Sequence, residues 1–98
     1  MLFALLCQDK LDHLQVRLDT RPDHVAFLND LNAKGTLKFA GPFLGEDGKP
    51  TGTLAVIEVE DKAAAKAIAD ADPYAKAGLF EKVDIRAWNW VFNNPASA

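Results

Sequence analysis

The 98-residue chain has few of the residues on which several classes of protein depend. Cys7 is its only cysteine, which excludes an internal disulfide framework and a cysteine-rich zinc site. Ser97 is its only serine and lies in the last few residues, so we exclude serine catalysis. The two histidines lie in separate helical patterns, and no carboxylate cluster has the spacing of metal ligands. We therefore expect no metal and no cofactor.

Clustered positive charge and long apolar runs are missing as well. The formal net charge is −3 and the lysines and arginines are scattered, which argues against a nucleic-acid-binding face. No apolar run approaches the ~20 residues that span a bilayer. The apolar start, LFALLC, has no basic leader or cleavage site, so it predicts a buried strand rather than a signal peptide. We expect a cytoplasmic protein that binds neither nucleic acid nor a membrane.

The composition that remains is that of a small globular domain. Hydrophobic residues make up 49% of the sequence and charged residues 26%. No internal repeat, linker or low-complexity segment divides the chain. We predict a single domain over residues 1–92 and a flexible tail over residues 93–98.

Strand and helix patterns alternate along the chain. Apolar or alternating runs predict the strands, and apolar stripes spaced three to four residues apart predict the helices. We expect Gly41 and Pro42 to end the second strand, and the turn-forming segment GEDGKPTG to connect it to the third. The predicted strands are 2–7, 36–42, 53–60 and 81–92, and the predicted helical segments are 20–34, 61–71 and 73–77.

The helix that precedes residue 35 has the clearest boundary signals. Thr20 and Asp23 have the spacing of a capping box, and Pro22 would then occupy the first turn, where its missing N–H costs nothing. Gly35 suits the left-handed conformation that closes a helix. We therefore predict that this helix begins at Thr20. A separate, shorter apolar stripe precedes it and consists of Leu11, Leu14 and Leu18.

This order, β-α-β-β-α-β, is that of a ferredoxin-like α+β domain. Right-handed crossovers would place both helices on one face of a four-stranded antiparallel sheet. The other face would be apolar too, because Leu54 and Val56 lie on it and the last strand ends in Trp88, Trp90 and Phe92. Apolar surfaces of that size usually mark an interface. We expect a homodimer in which two such sheet faces pack together.

Two polar residues lie where a site could form. His24 shares a helix face with Phe27, Leu28 and Leu31, so it is either a hydrogen-bonded core residue or part of a pocket wall. Asp72 directly precedes Pro73, which is the position of a helix N-cap. Capping uses one carboxylate oxygen and leaves the other available. The residue pattern alone does not decide between the structural and the functional interpretation of either residue.

Three motifs make the chain similar to the YciI-like, or YCII-related, proteins of the dimeric α+β barrel superfamily. They are R-P-x-H at residues 21–24, G-P at 41–42 and D-P-Y-x-x-x-G at 72–78, in the same order and spacing. The resemblance covers nearly the whole chain. It implies a bacterial dimer, and some relatives act as dehydrochlorinases or lactone dehalogenases in the degradation of chlorinated aromatic compounds. It also implies that His24 and Asp72 form a catalytic pair.

Chemistry supplies a reason for this pairing. A carboxylate bound to the Nδ1–H of His24 would fix the tautomer and stabilise the charge that forms when the ring accepts a proton. If the helix begins at Thr20, His24 also lies near its positive end, which favours a neutral imidazole. Around the pair we assign substrate-binding roles, each with a plainer structural alternative, to Arg21, Gly41, Pro42 and Tyr74.

We therefore expect a small cofactor-free enzyme in which His24 is the general base and Asp72 supports it. The reaction class that needs only these groups is proton abstraction beside a carbonyl, followed by elimination or isomerisation. The substrate would be a small carbonyl or ring-derived metabolite. Two alternatives remain open: a non-catalytic dimeric module that binds a small molecule, and a structural dimer in which His24 is a core residue.

Overall fold

A computed structural model describes residues 1–97, so the last residue of the predicted tail lies outside the described part. No helix within these residues is long and apolar enough to cross a membrane. A 3₁₀ turn over Pro95–Ser97 follows the last strand. The elements are β1 (Leu2–Asp9), α1 (Leu14–Ala33), β2 (Leu37–Leu44), β3 (Pro50–Glu58), α2 (Lys62–Ala71), α3 (Pro73–Lys76) and β4 (Phe80–Trp88).

The four strands form one antiparallel sheet in the order β2-β3-β1-β4. This order confirms the predicted ferredoxin-like arrangement. Alternate residues of the two central strands point toward the helices, so Leu5 of β1 pairs with Ala55 of β3 within the core. Alanines let α2 lie close to the sheet, and Ala65 is completely buried. The buried core cluster consists of Phe3, Leu5, Cys7, Ala55, Ile57, Ala65 and Ala69.

The first helix is longer than predicted. It begins at Leu14, and Thr20 and Pro22 lie in its interior rather than in its first turn. An interior proline removes one helical hydrogen bond and costs ~3 kcal/mol or more. The helix nevertheless continues through it, because Arg17, His24 and Leu31 are buried at a regular spacing of seven residues, or about two turns. The predicted boundary at Thr20 is wrong because contacts with the sheet outweigh the capping pattern.

Other predicted boundaries also move. Leu11 lies in a turn and is 87% exposed, so the expected leucine stripe before α1 does not form. Strand β2 runs through Gly41 and Pro42 to Leu44 instead of ending at them. As an edge strand it tolerates a proline, because one of its sides needs no ladder donor. Strand β4 ends at Trp88, which leaves the remaining aromatic residues of the predicted strand beyond it.

Aromatic rings cover one end of the sheet face that lies opposite the helices. The Phe39 ring meets the rings of Trp88 and Trp90 edge to face, at centroid distances of 5.7 and 5.1 Å. Phe39 lies on β2 and pairs with Val56, which is only 2% exposed. We attribute the burial of Val56 to these rings, since no helix lies on its side of the sheet. Part of this face is therefore covered within a single chain.

The glycine that follows the last turn of α1 provides a test of backbone strain. Gly35 has φ of +77°, and a Cβ atom built on it would meet no atom within 4 Å. The Gly35→Val substitution should therefore lower the free energy of unfolding by about 1 kcal/mol or more, through strain alone. Gly41→Val is the matched control, because its Cβ would also meet open space but its backbone is extended. Urea unfolding of both variants that gives equal losses would contradict this account.

Candidate active site

The centre of the site is a hydrogen-bonded pair formed by His24 and Asp72. The His24 Nδ1 atom lies 2.9 Å from Oδ1 of Asp72 and 3.1 Å from its Oδ2. Both residues are buried. Asp72 caps α3 at the same time, because its Oδ1 accepts a hydrogen bond of 2.9 Å from the Tyr74 backbone N–H. The predicted contact between His24 and Asp72 is thus present. The same carboxylate also caps α3.

The position of His24 in its helix differs from the prediction. Because α1 begins at Leu14, His24 lies near the middle of the helix and not near its positive end. The expected influence of the helix dipole on this imidazole is therefore wrong, since that effect fades within the first turn. The Asp72 carboxylate is the group that acts directly on the ring.

The contact with Asp72 decides which ring nitrogen can act as a base. A carboxylate oxygen accepts hydrogen bonds, so in the neutral ring Nδ1 of His24 carries the proton and Nε2 keeps its lone pair. Every fully buried side-chain nitrogen or oxygen atom of the described residues has a hydrogen-bond partner. Nε2 of His24 has no partner among these residues, so this atom is not fully buried. Nε2 is therefore accessible from outside the core.

Tyr74 fixes the plane of the imidazole. Its ring stacks on that of His24 with a centroid distance of 3.9 Å and an interplanar angle of 16°. The tyrosine is 1% exposed, and the edge of Phe80 contacts it at 6.0 Å between centroids. Burial raises the pKa of Tyr74, although the charges of Arg17 and Arg21 oppose the rise. The phenol therefore stays protonated at neutral pH.

Arg17 is a site residue that the sequence analysis missed. Its Nε and Nη2 atoms donate to Asp9 at 2.7 and 3.0 Å, and Nη2 also donates to Thr53 Oγ1 at 2.8 Å. Its Cζ atom lies 4.6 Å from the Tyr74 ring centroid. Burial alone would lower the pKa of Arg17, but the hydrogen bond and charge of Asp9, together with Tyr74, raise it. Arg17 lies seven residues, or about two turns, before His24 on the same helix face. The boundary predicted at Thr20 placed the two residues in separate helical segments, so the prediction missed this shared face.

A cavity of about 290 Å³ connects these residues. It lies beside α1, with β2 and β3 forming further walls, and Leu18, Val25 and Leu28 supply apolar surface. Asp72 is absent from its lining and lies behind His24. The predicted site residues that line it are Arg21, His24, Gly41, Pro42 and Tyr74, and Arg17 joins them.

Gly41 and Pro42 reach the cavity from within β2, not from a strand end as predicted. Gly41 pairs with Leu54, so a Cβ atom at Gly41 would point to the helix-free face, where it would meet nothing within 4 Å, and only its backbone borders the cavity. Arg21 is an exposed residue one helical turn from both Arg17 and His24. The structure therefore brings every sequence-predicted site residue to one side of α1.

Other reactive groups do not form a second centre. Burial, followed by the charges of Asp72 and Asp9, raises the pKa of Cys7 to about 12, so its thiol is a poor nucleophile at neutral pH. Among residues 1–97, no three histidine, cysteine, aspartate or glutamate side chains cluster as metal ligands would. A cavity of about 330 Å³ lies on the helix-free face of the sheet and contains Lys82 and Asp84 but no histidine.

Comparison with known families decides the assignment. The YCII-related domain matches residues 1–89. This chain belongs to the YCII-related family. A YCII relative, Protein YciI of Escherichia coli, is 41% identical over 98 residues, which cover 94% of this chain and 100% of that protein. An uncharacterised protein of Haemophilus influenzae is 34% identical over the same shares of the two chains.

Solved structures agree with the YCII assignment. The 5-chloro-2-hydroxyhydroquinone dehydrochlorinase TftG of Burkholderia phenoliruptrix, in complex with 2,5-dihydroxybenzoquinone, aligns with a TM-score of 0.84 at 32% identity. The alignment covers 96% of this chain and 99% of TftG. An antibiotic biosynthesis monooxygenase aligns over 93% of this chain with a TM-score of 0.54 at 11% identity, and this likeness shows the fold alone.

The raised pKa of Cys7 predicts how stability changes at high pH. Above pH 9.0 the thiol ionises in the unfolded chain, whereas in the folded chain it stays protonated up to about pH 12. The unfolded state then binds fewer protons, so the free energy of unfolding falls as pH rises, by up to about 4 kcal/mol. Urea unfolding should show that the advantage of the native protein over the Cys7→Ala variant shrinks between these pH values. A constant difference would contradict the prediction.

Proposed function

We propose that this protein is a cofactor-free enzyme that abstracts a proton from a carbon beside a carbonyl group and completes an elimination or isomerisation. The observation that carries this proposal is the 2.9 Å contact between His24 Nδ1 and Asp72, with the ring in the wall of an open cavity. A buried core histidine would need the same partner but would not need a cavity beside it. The likeness to a dehydrochlorinase at 32% identity supports the same reaction class.

In this mechanism the Nε2 lone pair of His24 accepts the proton as the C–H bond breaks. The bonding electrons move onto the carbonyl oxygen and form an enolate. In an elimination, the enolate re-forms its carbonyl, a C=C bond forms between the α and β carbons, and the leaving group departs from the β carbon with its electron pair, as chloride would from a chlorinated ring. Asp72 stabilises the imidazolium through Nδ1–H, and Tyr74 keeps the ring in plane. The imidazolium then returns its proton to the product or to water.

The cavity restricts the substrate to small molecules. Its volume of about 290 Å³ is at the lower end of the usual range for ligand pockets, which favours a single-ring or similarly small metabolite. We assign substrate contacts to Arg21, Gly41, Pro42 and Tyr74, with the Arg21 guanidinium suited to an anionic group. The small ring compound in the dehydrochlorinase complex, 2,5-dihydroxybenzoquinone, is of this size and is a suitable test ligand.

We further propose that the protein is a cytoplasmic homodimer. The aromatic rings leave part of the helix-free face uncovered, since Phe43 is 40% and Trp88 39% exposed. Leu6 and Leu54 lie on the same face and are only half-buried. A second copy that packs against this surface would remove it from water, and such burial is worth ~25 cal/mol per Å². A single buried thiol also fits a reducing compartment.

The alternative is a non-catalytic module that holds a small molecule in the same cavity. The apolar lining from α1 together with Arg21 would serve binding as well as catalysis. Binding without turnover by the native protein would favour this alternative.

Substitutions at the pair test catalysis against packing. His24→Asn should lower the rate of chloride release from 5-chloro-2-hydroxyhydroquinone, which presents a C–H bond beside a carbonyl in its keto tautomer, by roughly 10²–10⁴-fold while the protein stays folded, because an amide cannot accept the proton. Asp72→Asn should slow the same reaction, because its amide no longer stabilises the imidazolium. A panel of small cyclic ketones in deuterated water extends the assay to C–H exchange.

His13→Asn is the matched control, because His13 does not line the cavity and its ring hydrogen-bonds only to the Leu11 carbonyl among residues 1–97. It should leave the rate unchanged. If the two variants of the pair instead lose stability and keep full activity, His24 and Asp72 are packing residues and the catalytic proposal fails.

A charge on the uncovered sheet face tests the dimer. Phe43→Glu should shift the molecular mass measured by light scattering toward that of one chain, because it places a carboxylate in an apolar interface. Leu11→Glu is the control, since Leu11 is also apolar and more exposed than Phe43 but lies in the turn before α1. A native protein that runs as a folded monomer at micromolar concentration would overturn the dimer proposal.

A further inference from the structure

Arg17 is a charged group at the cavity for which the proposed reaction has no role. A guanidinium has five N–H donors. Those on Nε and Nη2 are used by Asp9 and Thr53. The two N–H groups on Nη1 make no hydrogen bond of good geometry among residues 1–97, although the Tyr74 hydroxyl raises the pKa of Arg17 as a hydrogen-bond partner. Since no buried side-chain nitrogen of those residues lacks a partner, Nη1 is in contact with open space.

That open space is the cavity beside His24. Arg17 is 4% exposed in total and lines this cavity. The charged residues of the lining are Arg17 and Arg21, and no carboxylate contributes to it. Positions 17, 21 and 24 are three to four residues apart, so the three side chains follow one another along the same face of α1. Two arginines thus line the same cavity as His24.

Arg17 differs from Arg21 because its position is fixed. The paired bonds to Asp9 hold the guanidinium plane on one side, and Thr53 holds Nη2 from β3. The Tyr74 ring contacts it as well. A donor that is already held in place loses little conformational entropy when a ligand binds. Fixed donors also suit an oxygen whose negative charge increases during a reaction.

We propose that Arg17 and Arg21 form an anion-binding subsite that selects substrates with an ionised oxygen, carboxylate or enolate, close to the carbon attacked by His24. Arg17 is the specificity-determining residue of this subsite, and its Nη1 atom is the donor. The inference rests on the proposed function for the position of the reacting carbon. The substrate class it names is small oxyanions, such as ionised hydroxyquinones and keto acids, in preference to neutral rings of equal size.

The test compares two probes by titration calorimetry. One is 2,5-dihydroxybenzoquinone, whose hydroxyl groups ionise because the quinone delocalises the charge, and the other is hydroquinone, which stays neutral. The double variant Asp9→Asn with Arg17→Gln removes both charges without leaving one buried alone, and it should weaken binding of the ionised probe by about tenfold. Hydroquinone binding should change little in this variant.

Arg21→Gln is a second test variant that should fold normally, because Arg21 is exposed. It should also weaken binding of the ionised probe while sparing hydroquinone. If the double variant does not fold, Arg21→Gln alone decides the question. The same change for both probes in a folded variant would overturn the subsite.

The two proposals fail in different ways. His24→Asn should keep the charge-dependent binding, because it leaves both guanidinium groups in place. A native protein that discriminates between the probes but turns nothing over would refute the catalytic proposal and leave the subsite intact. A native protein that releases chloride through His24 but binds both probes equally would refute the subsite alone.

Discussion

The Asp72 carboxylate is the interaction on which the arrangement of this site depends. It stands at the junction of α2 and α3, where it caps the short helix and accepts the Nδ1–H of His24. The cap begins the turn that carries Tyr74, and Tyr74 in turn stacks on the imidazole. One side chain therefore sets the position of two others. A hydrogen bond to a charged group contributes ~1.5–3 kcal/mol, and here the same oxygen accepts two.

A second buried pair holds the other half of the cavity. Arg17 connects α1 to β1 through Asp9 and to β3 through Thr53, so it joins the helix to both central strands. Its position between the sheet and the Tyr74 ring links this pair to the first one. Removing one partner of such a buried pair is typically costly, at ~3–5 kcal/mol. The site and the packing of α1 against the sheet are therefore built from the same contacts.

The parts of this structure that are encoded locally could be predicted from the sequence. Gly35 closes α1 with a positive φ and Asp72 caps α3, because each role depends on one residue and its immediate neighbours. The order of strands and helices follows from hydrophobic periodicity in the same way. The contact of His24 with Asp72 was expected from family motifs rather than from local physics, since the two residues are far apart in the chain.

The wrong predictions arise where contacts between residues far apart in the chain decide the structure. Thr20, Pro22 and Asp23 carry the local signals of a helix start, but contacts made by Arg17 with distant strands extend the helix through them. Arg17 itself was missed because nothing near it in the sequence indicates that β1 and β3 would supply its partners. Tertiary contacts of this kind routinely override local preference.

Pro22 also divides α1 into two parts that different contacts hold against the sheet. Because a proline has no N–H, the hydrogen-bond ladder of the helix lacks one rung at Leu18. The turns before it are held to the sheet largely by Arg17, whereas the turns after it are held by His24 and Leu31. With that rung missing, the three hydrogen bonds of Arg17 to Asp9 and Thr53 tie the first turns of α1 to the sheet. His24 is held separately, by its contact with Asp72. A loss of the Arg17 contacts would therefore free the first turns of α1 without breaking the contact between His24 and Asp72.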